Sequence, residues 1–168
     1  TSDTEFSSFV EKYCDLTIIK SSILDEASNS KKNPCFICSR RRNQKIFEFA
    51  YDLGIKKVLF GHNRADVIET CLMNMLYSRK ISTMMPFQPL FGGKIEVVRP
   101  LYDVPEILLQ NYAKGYPTVA KSCPYDGHTK REYVKELVNK IAKDHKAIDV
   151  KSNLMSAISN VDMDFMPM

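Results

Sequence analysis

Lys57-Val58-Leu59-Phe60-Gly61-His62-Asn63-Arg64-Ala65-Asp66-Val67-Ile68-Glu69-Thr70-Cys71-Leu72-Met73-Asn74-Met75-Leu76-Tyr77 changes its hydrophobic period part-way along. Val58, Leu59 and Phe60 make an uninterrupted apolar run of the length of a buried strand. From residue 66 to residue 77, Val67, Ile68, Cys71, Leu72, Met75 and Leu76 recur at the spacing of one helical face. A strand that becomes a helix across Gly61 is half of a βα unit, and repetition of that step predicts an α/β fold with a mainly parallel sheet. Ligands of such sheets lie beyond the carboxyl ends of the strands, which directs attention to Gly61 and the residues after it.

The flanks repeat the alternation. Upstream, Phe6, Phe9, Val10 and Tyr13 have helical spacing, Leu16-Thr17-Ile18-Ile19 reads as a short buried strand, and residues 21–33 are polar enough for a loop or lid. Residues 38–53 carry Ile46, Phe47, Phe49, Ala50 and Leu53 as an apolar stripe, with Gly54 placed to end that helix. Downstream, residues 78–93 are broken by Pro86, Pro89, Gly92 and Gly93; residues 95–98 resume as strand, and Pro105 opens a helix through Tyr112. Residues 117–120 form one more short extended piece. Residues 129–143 place Val134, Leu137, Val138 and Ile141 on one helical face, and a last helix covers 152–160. The expected division is a core at 1–120 and a C-terminal helical segment with a cysteine loop at 121–168. There is no internal repeat.

Composition excludes several classes. The 168 residues allow one ordinary domain, or a core with a small appendage. With 44% hydrophobic residues, 26% charged residues and a mean hydropathy of −0.26, the chain has no apolar run near the roughly 20 residues of a membrane-spanning helix, so a membrane protein is excluded. Apolar residues recur along most of the length, which excludes disorder. Twenty-four basic residues against 20 acidic ones give +4, which permits an anionic partner without demanding one. The five cysteines are an odd number, and the first residues show neither the basic nor the apolar part of a signal peptide. The expected setting is a reducing one, the cytoplasm, where closely spaced thiols serve metals or catalysis.

Cys35-Phe36-Ile37-Cys38 is the strongest local chemical signal. Two thiolates at this spacing, entering a helix, chelate one metal or cluster, and the helix N-terminus and the following arginines favour thiolate over thiol. A thioredoxin-like redox pair or two incidental cysteines are the alternatives. A third ligand must come from afar: Cys123, in Ser-Cys-Pro-Tyr, is the candidate, while Cys14 and Cys71 sit on apolar stripes and read as small buried hydrophobes. Three protein sulfurs leave one iron of a cubane cluster open to an extra sulfide, which suits sulfur chemistry.

Gly61 lets a ligand approach the backbone, and the N–H groups of the helix that follows can meet phosphate. The alternative reading makes His62 a loop residue bonding its neighbours and Asp66 an ordinary helix-start carboxylate. Arg40, Arg41, Arg42 and Lys45 beside the cysteines, with Arg64, Arg79, Lys80, Lys130 and Arg131, are either solvated faces or contacts to a nucleotide or RNA backbone.

In order along the chain, Cys35-Phe36-Ile37-Cys38-Ser39-Arg40-Arg41-Arg42, Gly61-His62-Asn63-Arg64-Ala65-Asp66-Val67-Ile68-Glu69-Thr70, Leu72-Met73-Asn74-Met75, Arg99-Pro100-Leu101, Cys123-Pro124-Tyr125, Lys130-Arg131-Glu132 and Ser156-Ala157-Ile158-Ser159-Asn160-Val161 resemble the PP-loop ATPase family. Within it they are most similar to the tRNA 2-thiocytidine synthetase branch, the TtcA-like proteins. The resemblance implies a Rossmann-like core and ATP-dependent adenylation of a carbonyl oxygen of an anticodon-loop cytidine, followed by displacement of AMP by sulfur. It also implies ATP with Mg²⁺, a [4Fe-4S] cluster held by three cysteines, tRNA and a cysteine-desulfurase sulfur donor as partners, and a homodimer. On this likeness Cys35, Cys38 and Cys123 are the cluster ligands, although relatives place a cysteine at the position of Lys121. Gly61 and His62 belong to the nucleotide-side loop, Asp66 and Arg42 to the catalytic set, and Arg40, Arg41 and Lys130 to the RNA contacts.

Two departures stand out. The family's Ser-Gly-Gly-x-Asp-Ser pyrophosphate loop is absent, Gly92-Gly93 lying far downstream in a turn, and Ala65 replaces the first Asp of the family's pair. The expectation is a truncated form lacking its N-terminal strands, with little activity of its own. The alternatives are a degenerate, noncatalytic relative that binds tRNA or a partner, its cysteines holding zinc or nothing, and a tRNA uridine thiolase.

Overall fold

A computed structural model of the chain describes residues 2–31, 33–119, 123–125 and 129–165. The chain divides into two compact units, Thr1–Lys56 with Asn111–Tyr125, and Lys57–Gln110 with Asp126–Met168.

The first unit is helical: α1 (Ser2–Val10), α2 (Ile23–Ser28) and α3 (Pro34–Asp52). Local chemistry defines both ends of α3. Asn33 accepts the Phe36 N–H at 3.2 Å and Pro34 occupies the first helical position, so the helix begins four residues before the expected Cys38. At the other end Gly54 takes φ +70°, with Gly54 N–H donating to Tyr51 O and Ile55 N–H to Ala50 O, the Schellman arrangement that glycine permits. Two expectations fail in this unit. Leu16-Thr17-Ile18-Ile19 is not a strand; Ile18 is 70% exposed, and no strand among the described residues offers it a ladder. The expected loop at 21–33 contains α2, whose buried residue is Ala27, too small for its periodicity to register in the sequence.

The second unit contains β1 (Lys57–Leu59), α4 (Arg64–Ser78), β2 (Phe87–Leu90), β3 (Ile95–Val98), all but the last two residues of α5 (Glu106–Tyr112), α6 (Lys130–Asp144) and α7 (Val150–Ser159). The sheet order is β1-β3-β2. β1 lies parallel to β3 with Leu59 opposite Val98, as the βα step predicts, while β2 lies antiparallel to β3 with Phe87 opposite Val98. The sheet is therefore small and mixed rather than mainly parallel. β2 escapes the sequence reading because it holds Pro89, tolerated here because β2 is an edge strand. The expected extended piece at 117–119 joins no strand, and Ala120 is outside the described residues.

Ile95 and Val97 of β3 are almost wholly buried. A second apolar cluster joins Ile68 of α4 to Val134 and Val138 of α6, with Leu72, Met73, Leu154 and Met155 packed around them. Among the described residues no helix is long and apolar enough to cross a membrane. Deleting side-chain volume at the centre of this cluster leaves a cavity, so Ile68→Ala is expected to destabilise the chain by about 2–5 kcal/mol in urea unfolding, while Ile141→Ala on the outer part of α6 costs less than about 1 kcal/mol.

Candidate functional site

In the first unit Cys35 and Cys38 lie on the first turns of α3, and Cys123 lies in the 123–125 stretch. Cys35 and Cys123 are exposed and Cys38 is half-buried; all three are free thiols. The Cys35 thiol is pushed above its ordinary range, by burial of its sulfur first and then by charge on Cys123 and on Cys38, against a smaller opposing backbone hydrogen bond. That reverses the expected thiolate preference: here desolvation and like charges outweigh the helix N-terminus. Cysteine sulfurs are the soft donors that iron–sulfur clusters and other thiophilic metals take. Among the described residues no three His, Cys, Asp or Glu side chains are arranged around a common ion position. Lys121, the alternative position for a cysteine, is outside the described residues. Tyr125, two residues after Cys123, shares a hydrogen bond of 3.1 Å with Ser28 of α2.

Arg40, Arg41 and Arg42 are exposed on α3. Arg41 Nε pairs with Glu26 at 3.0 Å and its Nη1 donates to Gln44. Arg40 and Arg41, with Ser30, Ile37 and Gln44, line an open hollow of about 480 Å³. Of the other two cysteines, Cys71 is buried as expected, but Cys14 is exposed, because α1 ends at Val10 and the Cys14 thiol merely donates to the Val10 carbonyl.

In the second unit the carboxyl ends of β1 and β3 lead into the start of α4. Asn63 caps the helix by accepting the Ala65 and Asp66 N–H groups, and Asp66 returns a bond by accepting the Asn63 N–H at 3.0 Å. The other Asp66 oxygen accepts from Arg131 Nη1 at 3.2 Å. The candidate catalytic carboxylate is thus engaged on both oxygens. Arg131, the second residue of α6, also donates to Glu69 Oε2 at 3.1 Å and to Thr70 Oγ1 at 3.2 Å. Glu69 is 6% exposed and carries a raised pKa: burial is the main cause, Asp66 adds to it, and Arg131 and Lys135 oppose.

Arg64 binds Asp103 through its carboxylate at 3.0 Å and its carbonyl at 2.9 Å, and reaches Ser152 Oγ of α7 at 3.1 Å, so one guanidinium ties the start of α4 to the loop after β3 and the start of α7. His62 is half-buried with its ring 5.4 Å from that of Phe60. Gly61 is exposed, has no positive φ, and a methyl group added there meets nothing within 4 Å. Lys130 is exposed and rests its ammonium 4.4 Å above the Tyr77 ring. Arg42 belongs to the first unit and Asp66 to the second. Sequence reading named Arg64 and Arg131 for their charge alone and assigned nothing to Glu69. The available signal was Asp66 and Glu69 three residues apart on a helix, two carboxylates on one face that require a counter-ion.

Comparison with known proteins finds relatives along most of the chain. No family model matches the chain. The tRNA-cytidine(32) 2-sulfurtransferase 1 of Francisella philomiragia is 35% identical over 133 residues, 77% of this chain and 51% of its own length. This chain is homologous to the tRNA-cytidine(32) 2-sulfurtransferases. The enzyme of that name from Polynucleobacter asymbioticus is 35% identical over 127 residues, 74% of this chain and 42% of its own, and tRNA-cytidine(32) 2-sulfurtransferase 2 of Francisella tularensis is 32% identical over 142 residues, 83% and 55%. The chain spans about half the length of these sulfurtransferases.

Glu69 yields a pH signature. A carboxylate whose folded pKa lies above its unfolded value stabilises the fold below that unfolded value, near pH 4.3, and the contribution is lost as pH rises through the folded pKa. Thermal melts between about pH 4 and pH 7 are expected to show a smaller fall in stability with rising pH for Glu69→Gln than for the parent.

Proposed function

We propose that this chain is part of a tRNA-thiolating enzyme that activates an anticodon-loop cytidine with ATP and replaces its carbonyl oxygen by sulfur. The observation that carries this reading is the homology to proteins named tRNA-cytidine(32) 2-sulfurtransferase, over three-quarters of the chain. The cytidine oxygen bonds to the α-phosphorus of ATP, which enters with Mg²⁺, and pyrophosphate leaves; sulfur then bonds to the base carbon and AMP leaves. Cys35, Cys38 and Cys123 would hold a [4Fe-4S] cluster. When bound, such a cluster would supply the sulfur.

The remaining roles belong to the chain's own side chains. Gly61 and His62 border the nucleotide, and the open space over Gly61 supports this, because neither backbone conformation nor packing there requires a glycine. Asp66 acts at the nucleotide, with Arg131 and the Asn63 N–H fixing its orientation. Arg42 acts at the base. Arg40, Arg41 and Lys130 meet RNA phosphates, a role that their exposure suits. A cysteine desulfurase supplies sulfur, and the whole protein works as a cytoplasmic homodimer.

Anaerobic reconstitution with iron and sulfide is expected to load the parent chain and to fail with Cys35→Ala; equal loading of the two, or stoichiometric zinc in the purified protein, overturns the cluster assignment in favour of a noncatalytic module. Nucleoside analysis of tRNA from cells lacking the gene is expected to show loss of 2-thiocytidine. Loss of a thiouridine instead overturns the choice of base.

A further inference from the structure

Arg99 directly follows the last residue of β3, Val98, whose carbonyl accepts the Phe60 N–H at 2.9 Å from the strand alongside. It therefore stands at the carboxyl ends of the parallel pair, the place where sheets of this kind receive ligands. Its backbone N–H is used by Pro86 O at 2.8 Å, and Nη1 donates to Met85 O at 2.6 Å. Nε is shielded from water and has no partner among the described residues, and Nη2, on the same edge of the planar group, makes no hydrogen bond among them.

Arg64 and Arg131, the other guanidiniums of this region, each bind carboxylates; Arg99 has none among the described residues. Burial depresses its pKa and only Tyr102 opposes that trend, so the environment of the guanidinium lacks a counter-charge. A cation withdrawn from water without an anion is costly, and an unoccupied Nε/Nη2 edge is the fork that takes two oxygens of one oxyanion. Across the strand ends, Gly61 leaves open space where the fold itself needs none.

We propose that Arg99 is an oxyanion-binding residue whose Nε/Nη2 edge receives a phosphoryl group of the bound nucleotide. The assignment rests on the nucleotide reading given above, but binding is measured without turnover, cluster or tRNA, so it can fail or stand apart from thiolation. The probe is inorganic pyrophosphate, titrated calorimetrically into this chain, its Arg99→Met variant and its Arg99→Lys variant. Arg99→Met is expected to bind pyrophosphate roughly tenfold or more weakly than the parent, because a charge-assisted bidentate contact is lost. Arg99→Lys falls between the two, keeping charge and losing the fork. Without ligand, Arg99→Met is expected to melt no lower than the parent, since it removes an uncompensated charge. No pyrophosphate binding by the parent, equal binding by Arg99→Met, or a ligand-free Arg99→Met that melts well below the parent each overturn the proposal, the last by showing a structural role.

Discussion

Glu69 places a carboxylate almost wholly out of water on the first turns of α4, and Arg131 is the guanidinium that neutralises it. A buried charge must be met by an opposite one or give up its ionisation, so the start of α6 is committed to the start of α4. The same guanidinium takes Asp66 and Thr70, and Asp66 in turn holds the Asn63 N–H that begins the helix. The turn from β1 through Gly61 and His62 into α4 therefore inherits its geometry from a pair of charges contributed from positions 69 and 131. Arg64 extends the constraint to Asp103 and Ser152.

The first unit is organised differently. Among the described residues its buried hydrophobes are Ala27 and Ala50, so little apolar packing holds it. Its specificity lies at the helix ends, where Asn33 and Pro34 begin α3 beside Cys35, whose thiol is pushed up by burial and by charge on Cys123 and Cys38.

Much of this was legible in residue order. The switch of period at Gly61 located β1 and α4, Gly54 ended α3, and the face of Val134 and Val138 announced α6. The site was legible as blocks: Cys35 with Cys38, Cys123 at a distance, the strand-end loop, and the arginines. What escaped had small or contradictory local signals. α2 buries an alanine, β2 contains Pro89, and Leu16-Thr17-Ile18-Ile19 has strand propensity with no ladder to join. Cys14 looked like a stripe residue because the helix was extended one turn past Val10, where its backbone donors are satisfied by turn-type bonds instead.

The sequence by itself determined the alternation of strand and helix, the spacing of the paired cysteines and the kinship to the tRNA-cytidine(32) 2-sulfurtransferases, because these depend on neighbours a few residues apart or on motif order. Tertiary structure alone decided the partner of each charge. Asp66, Glu69, Arg64, Arg99 and Arg131 are similar polar residues in the sequence, and only packing made Glu69 a buried acid with a counter-ion, engaged both oxygens of Asp66, and left Arg99 at the strand ends without a carboxylate. Burial and long-range pairing set the energy of a charge, and neither is encoded in the residue that carries it.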